Sequence, residues 1–117
     1  MEKRTVQMAL LLDFYGELLT EKQREYMDLY YNEDFSLAEI ARPGGITPQG
    51  VRDVIQRGEA TLLETERKTG LMARATEAAE TAARIRAHCK IIEAKCGKDL
   101  IPLFQEIYQD LDSIYTL

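Results

Sequence analysis

The side chains best suited to recognition chemistry lie along one predicted helix, which begins after a Gly-containing turn. Gln49, Arg52, Gln56 and Arg57 fall on one side of it, and an apolar stripe falls on the other. Arginine and glutamine match base edges in a major groove, and arginine also binds phosphate. Thr47 and the free backbone N–H groups of the first helical turn would suit a phosphate. The candidate nucleic-acid-binding residues are therefore Thr47, Gln49, Arg52, Gln56 and Arg57.

The elements that would position these side chains form a helix-turn-helix pattern. The first helix opens with a capping box at residues 36–39, and Pro43 followed by two glycines is predicted to stop it. Thr47 then caps a second helix, with Pro48 at its favoured first position. This second helix is predicted to run to Thr69, with Gly70 as its C-cap. Its core-facing stripe comprises Val51, Val54, Ile55, Gly58 and Leu62.

Two further helices precede this unit. Apolar residues at helical spacing predict one helix from Lys3 to Leu18. A second capping box at residues 20–23 starts the next helix, which extends through Tyr31 and has Tyr30 on its apolar side. Residues 1–70 are therefore predicted to form one helix-turn-helix domain.

Residues 71–117 are predicted to form a second domain, an antiparallel helical hairpin. Apolar positions from Leu71 to Cys96 alternate in steps of four and three, and the first half of this pattern is mostly alanine. Gly97 would end that helix, and Asp99 would cap the last one. A link this short requires the two helices to fold back on each other. No strand pattern is present, so the predicted fold class is all-α.

The two cysteines and the single histidine do not predict a metal site. Cys89 and Cys96 lie about two helical turns apart, too far to form a disulfide with each other. With His88 they offer three ligands on two faces, which do not make a tetrahedral zinc site. They are interpreted as buried structural thiols.

The charge distribution leaves more than one recognition surface open. The net charge of −5 argues against strong non-specific nucleic-acid binding. Residues 37–60 contain equal numbers of basic and acidic side chains, which also favours protein contact as the role of the helix-turn-helix. Basic residues exceed acidic ones in residues 72–98, where they indicate either an RNA-binding surface or ordinary solubilising charge. This alternative basic surface comprises Arg74, Arg84, Arg86, Lys90 and Lys95.

Several function classes are not supported by the sequence. It contains no nucleophile–base pair with supporting spacing, no glycine-rich phosphate loop after a strand and no metal cluster. We therefore expect no enzymatic activity, no cofactor, no metal and no small-molecule substrate. The N-terminus does not have the pattern of a signal peptide, and no segment has the length of a membrane span. The prediction is a soluble, cytoplasmic protein that does not bind membranes.

Two stretches resemble the YlxM family of small bacterial helix-turn-helix proteins. They are LLDFYGELLTEKQREYMDLYYNEDFSLAEIA and ITPQGVRDVIQRGEATLLETERKTGL, which together cover about residues 10–71. The three-helix part is also similar to region 4 of bacterial sigma factors. The sequence departs from the family pattern at residues 42–45, where a shorter helix is expected, and at Pro48, where a polar or basic residue is more usual.

The resemblance implies an accessory or regulatory factor of the bacterial signal recognition particle pathway that binds DNA or the particle's RNA. The alternative is a protein-interaction adaptor that contacts the particle's GTPase or its receptor. The apolar pattern of residues 71–96 offers more surface than one short partner helix need cover, and the sequence therefore also predicts a homodimer.

Overall fold

The computed structural model describes residues 3–114, and these contain six α-helices and no strand. The all-α prediction is confirmed. The chain divides into two compact units, Met1–Gly70 and Leu71–Leu117, here termed the head and the hairpin. That each unit is an independent domain stays a prediction. The helices are α1 (Lys3–Tyr15), α2 (Glu21–Tyr31), α3 (Leu37–Gly44), α4 (Pro48–Thr69), α5 (Leu71–Lys95) and α6 (Ile101–Asp112).

Side-chain caps set the starts of three head helices, as the sequence predicts. Thr20 and Ser36 each accept a hydrogen bond from the N–H three residues on, and the side-chain oxygens of Gln23 and Glu39 accept one from the N–H of the cap residue. Thr47 caps α4 by accepting from the Gly50 N–H at 3.0 Å. These bonds satisfy N–H groups that have no partner within a helix.

One predicted helix end in the head is wrong. The first predicted helix does run to Leu18, but its last turn, Gly16–Leu18, is 3-10 helix, and α1 as an α-helix stops at Tyr15. Pro43 does not stop α3, which continues through it to Gly44. The proline costs little so near the end, because only one hydrogen bond of the last turn is lost. The C-cap is Gly45, whose φ of +64° lets its N–H bond the Ala41 and Arg42 carbonyls.

The core of the head forms where α1, α2 and α3 pack against α4. The fully buried side chains Met8, Leu11 and Met27 come from α1 and α2, and Leu62 comes from α4. Gly58 allows α2 and α4 to lie close together, since a Cβ there would lie 2.5 Å from the Met27 sulfur. The predicted apolar stripe of α4 therefore faces the core.

Two buried tyrosines tie the first two helices to α4. The Tyr15 hydroxyl donates to Glu66 Oε1 at 2.5 Å, and the Tyr31 hydroxyl donates to Glu59 Oε1 at 2.5 Å. Hydrogen bonds to a charged acceptor are stronger than neutral ones. They fix the rotation of α4 about its own axis, and so decide which of its side chains face outward.

The hairpin pairs α5 and α6 in antiparallel order, as predicted. Arg86 bonds Asp112, whereas Glu93, farther along α5, accepts from Tyr108, which lies earlier in α6. The prediction that Asp99 caps α6 is wrong. Asp99 lies in a 3-10 turn, Lys98–Leu100, and the residue before α6 is Leu100, which makes no side-chain cap. The chain reverses direction through Lys98–Leu100, so Asp99 does not lie at the position directly before α6.

The packed interior of the hairpin is small. Its buried apolar residues are Ala75, Ala82, Phe104 and Leu111. Both cysteines are unpaired but only half-buried, so the prediction of buried thiols is wrong. One partner helix covers only one side of the apolar pattern on α5, which leaves the rest accessible.

No helix among residues 3–114 is both long enough and apolar enough to cross a bilayer.

Candidate nucleic-acid interface

The outward side of α4 carries the predicted recognition residues. Gln49, Arg52, Asp53, Gln56 and Arg57 are all exposed, and we term this set the outer face of α4. The opposite side is buried against the other head helices. This division follows from the local sequence. The helix starts at the Thr47 cap and has an apolar residue at every third or fourth position, so the residues between them face solvent.

Two of the five candidate nucleic-acid-binding residues, Thr47 and Gln49, already have hydrogen-bond partners in α4. The Thr47 hydroxyl accepts the Gly50 N–H, and the Gln49 amide donates to Asp53 Oδ1 at 3.0 Å. Thr47 therefore acts locally as a cap. A contact from Gln49 to a base edge would have to replace the hydrogen bond from Gln49 to Asp53. Gln49 should therefore contribute less to recognition of a DNA groove.

The two arginines of the outer face have no such partner. Within residues 3–114, no hydrogen bond or ion pair joins the side chain of Arg52 or Arg57 to another residue. By contrast, Arg67 forms two hydrogen bonds with Glu64, which also pairs with Lys68 at 3.6 Å. The hydrogen bond from Arg67 is the main reason that the pKa of Glu64 is lowered. Arg52 and Arg57 are thus the cations of α4 most available to a phosphate.

A cleft of about 320 Å³ opens beside the outer face of α4. Arg52 and Gln56 contribute to one wall, and Tyr30 at the end of α2 contributes to another. Sequence reasoning missed this site. It assigned Tyr30 to the apolar side of α2, but the residue is 37% exposed. The sequence does contain a signal for an exposed tyrosine here. Residues 30 and 31 are both tyrosine, and only one of two consecutive helical residues can point fully inward.

The alternative basic surface on α5 is partly used within the hairpin. Arg86 bonds Asp112 and the Tyr108 carbonyl, and the Lys90 ammonium lies 4.1 Å from the centre of the Tyr108 ring. Burial raises the pKa of Tyr108 to about 12, and its hydrogen bond to Glu93 adds to this effect. Tyr108 therefore stays protonated at neutral pH and continues to donate to Glu93.

The other members of the alternative basic surface remain exposed. Arg84 donates to Thr81 Oγ1 at 3.0 Å, whereas Arg74 and Lys95 have no side-chain partner in the described part of the chain. Among residues 3–114, no group of three or more His, Cys, Asp or Glu side chains is placed to hold a metal ion.

The head as a whole defines the class of protein. Two helices joined by a short glycine-containing turn, with the second presenting polar side chains outward and a further pair of helices behind it, constitute a helix-turn-helix protein.

Comparison with known proteins assigns the family. Residues 1–100 match the UPF0122 family, described as "Putative helix-turn-helix protein, YlxM / p13 like". The chain belongs to this family.

Individual members show the same relationship. A UPF0122 protein of Thermoanaerobacter sp. strain X514 is 38% identical over 108 residues, which cover 92% of both chains. A UPF0122 protein of Halalkalibacterium halodurans is 54% identical over 71 residues, 61% of this chain and 65% of that protein. One of Clostridium kluyveri is 53% identical over 72 residues, 62% of this chain and 64% of that protein.

Proposed function

We propose that the head binds nucleic acid through the outer face of α4, as an accessory factor of the signal recognition particle pathway in the cytoplasm. The observation that carries the binding proposal is the pair of exposed arginines, Arg52 and Arg57, that lack partners within the described residues. Membership of a helix-turn-helix family supports the same role. The pathway and the likeness to sigma region 4 rest on the sequence resemblance alone.

The charge of the chain favours a short, defined contact over broad electrostatic binding. A net charge of −5 repels a polyanion at long range, so few phosphates can be neutralised. Structured RNA suits such a protein because shape and backbone contacts can replace an extended basic surface. The particle's RNA is therefore our first choice of ligand, with promoter DNA as the comparison.

The proposal predicts a shallow salt dependence of binding. Labelled signal-recognition-particle RNA and promoter DNA are titrated with the protein at two salt concentrations. With two principal phosphate contacts, a fourfold rise in salt lowers the affinity roughly tenfold, because each neutralised phosphate contributes a slope of about −0.9. Absence of binding to both probes at low salt would refute nucleic-acid binding by the head.

A second role, self-association through the hairpin, is favoured by its uncovered apolar side. Ile85 and Ile92 are 41% and 51% exposed, and Leu103 on α6 is 54% exposed. Ile85 and Ile92 lie seven residues apart, on one side of α5, and a contiguous apolar surface marks an interaction site. A buried core that includes two alanines is small for a 47-residue unit, which would gain stability from a second copy. We propose a homodimer, with an adaptor role toward the particle's GTPase or its receptor as the alternative use of this surface.

The homodimer predicts a mass twice that of one chain in light scattering at micromolar concentration. Ile92→Asp places a charge in the proposed interface and is expected to give the mass of one chain, because an unpaired charge is costly to bury. The matched control is Leu18→Asp, since Leu18 is 62% exposed and lies outside the hairpin. A wild-type mass equal to one chain across this range would contradict the homodimer.

A further inference from the structure

The cleft beside α4 has the size of a pocket for one planar ring system. Its volume of about 320 Å³ is at the lower end of the range found for small-ligand sites, about 300–1,000 Å³. The side chains of four helical segments converge on it, including Leu37 from α3 and Ile55 from α4 as apolar members. A base that is stacked inside a duplex cannot enter a concave site, whereas an unpaired base can.

Tyr30 offers an aromatic surface in this cleft. Its ring makes an edge contact with the Tyr31 ring, with centroids 5.0 Å apart and an angle of 86° between the planes. Tyr31 is itself buried and bonded to Glu59, so the neighbour that supports Tyr30 is fixed. An aromatic ring that is already ordered stacks on a base with little further loss of conformational entropy.

Gln56 and Arg52 supply two different kinds of polar contact. They lie one helical turn apart on α4 and both line the cleft. A glutamine amide offers a donor and an acceptor side by side, which matches the edge of adenine. An arginine guanidinium binds phosphate through two parallel hydrogen bonds. The pair therefore suits a nucleotide whose base lies in the cleft and whose phosphate lies at the rim.

The cations beside the cleft favour one orientation of a nucleotide. Glu59 lines the cleft and accepts the Tyr31 hydroxyl, whereas Arg52 and Arg57 are exposed. Because a guanidinium binds phosphate, the phosphates are favoured near Arg52 and Arg57 on the exposed side, and the base is favoured inside.

The outer face of α4 is less suited to reading an intact groove than its residue types suggest. Asp53 is exposed in the middle of that face, and it holds the Gln49 amide. A carboxylate facing the duplex would oppose close approach of two phosphate backbones. The cleft side of α4, by contrast, combines an arginine, an amide and an aromatic ring.

We propose that this cleft binds one unpaired base, as found in a bulge or loop of a folded nucleic acid. This inference rests on the proposed function, because it assigns the part of the nucleic acid that the head recognises. It predicts a preference for imperfect helices, and it makes Tyr30 and Gln56 specificity-determining residues.

The test compares four labelled probes with the full-length chain at low salt. They are an RNA hairpin with a single bulged adenine, the same hairpin without the bulge, and the two corresponding DNA hairpins. Wild type is expected to bind the bulged form roughly tenfold more tightly, the effect typical of stacking one base on an aromatic side chain. Tyr30→Ala is expected to remove this preference, and Tyr30→Phe to retain it, because the ring alone supplies the stacking surface.

Two further variants separate the cleft from a general loss of structure. Phe35→Ala is the matched control, since Phe35 is also an exposed aromatic residue, at 39%, but does not line the cleft. Gln56→Ala changes an exposed side chain and should keep the fold. With a fifth probe, the RNA hairpin that carries a bulged uridine in place of the adenine, it is expected to lose discrimination between the two bulged bases while still preferring bulged over perfect hairpins.

The possible failures are distinguishable. Equal binding of bulged and perfect hairpins by wild type, unchanged in Tyr30→Ala, would overturn the cleft and leave binding by the outer face of α4 intact. Absence of binding to all four probes would overturn the proposed function and this inference with it. A bulge preference limited to RNA or to DNA supports the cleft and identifies the polymer.

Discussion

Reversing the charge of both Arg52 and Arg57 is expected to weaken nucleic-acid binding by about 100-fold or more. Each charge-assisted hydrogen bond to a phosphate is taken at about 1.4 kcal/mol, which is tenfold in affinity. The substitution Arg52→Glu with Arg57→Glu removes both bonds and adds repulsion. Both side chains are exposed, and neither has a partner within residues 3–114, so the fold should be retained.

The matched control applies the same charge change elsewhere. Arg74→Glu with Lys95→Glu alters the net charge equally, at two exposed residues of the alternative basic surface. Filter binding or fluorescence anisotropy with the bulged RNA hairpin provides the measurement. In the α4 variant the slope of log affinity against log salt should fall by about two, one for each lost phosphate contact.

A reversed ranking would assign recognition to the other surface. If Arg74→Glu with Lys95→Glu lost binding while the α4 variant kept it, α5 would be the recognition helix. The comparison leaves out Arg86 and Lys90, because both contact α6 and their reversal would disturb the hairpin itself.

Helix existence and the local start signals were accessible from the sequence. The capping boxes that begin at Thr20 and Ser36, the cap at Thr47 and the αL glycine at Gly70 all occur as predicted. Each depends on residues within three or four positions of one another, so spacing alone determines the outcome. The core-facing stripe of α4 follows from periodicity in the same way.

The features that were not predictable depend on contacts between distant residues. The cleft needs Tyr30 from α2 beside Arg52 from α4, and no local pattern specifies that meeting. The engagement of Arg86 by Asp112 joins residues 26 positions apart. Asp99 has the residue type of a cap but lies where the chain must reverse, and the geometry of the turn prevailed over the local preference.

Pro43 illustrates a different limit. The rule that proline stops a helix applies to positions whose N–H is needed by a carbonyl in the preceding turn. Near the last turn of an eight-residue helix, that loss affects a single bond, and the glycine two residues later sets the end. A sequence pattern contains both signals, but only the energetic comparison between them determines which residue ends the helix.

A larger residue at Gly58 should strongly destabilise the head. In Gly58→Leu the new side chain must occupy space held by Met27, which is fully buried, with its sulfur only 2.5 Å from the first added carbon. The Gln23 Cβ lies 3.5 Å away, which is an ordinary van der Waals contact, so the clash falls on the Met27 side chain. Overpacking of this kind is expected to lower the free energy of unfolding by about 3 kcal/mol.

Urea denaturation of the full chain followed by circular dichroism measures the effect, with Gly44→Leu as the matched control. Gly44 also lies in a helix, but its nearest neighbour is the Tyr26 hydroxyl at 3.9 Å, an ordinary contact. The control should change stability by less than about 0.5 kcal/mol, as is usual for exposed positions. Equal stabilities of the two variants would show that α2 and α4 do not approach closely at Gly58.

Shortening the Met27 side chain provides the most decisive variant. Met27→Ala alone creates a cavity and should cost about 2–5 kcal/mol, but combined with Gly58→Leu it vacates the space that the leucine needs. The double variant should therefore be more stable than the sum of the two single effects predicts, by roughly 1 kcal/mol or more. Because α2 carries Tyr30 and α4 carries Arg52 and Gln56, the same spacing sets the width of the cleft. A double variant that recovers stability but not the preference for a bulged hairpin would show that recognition requires the native separation of these two helices.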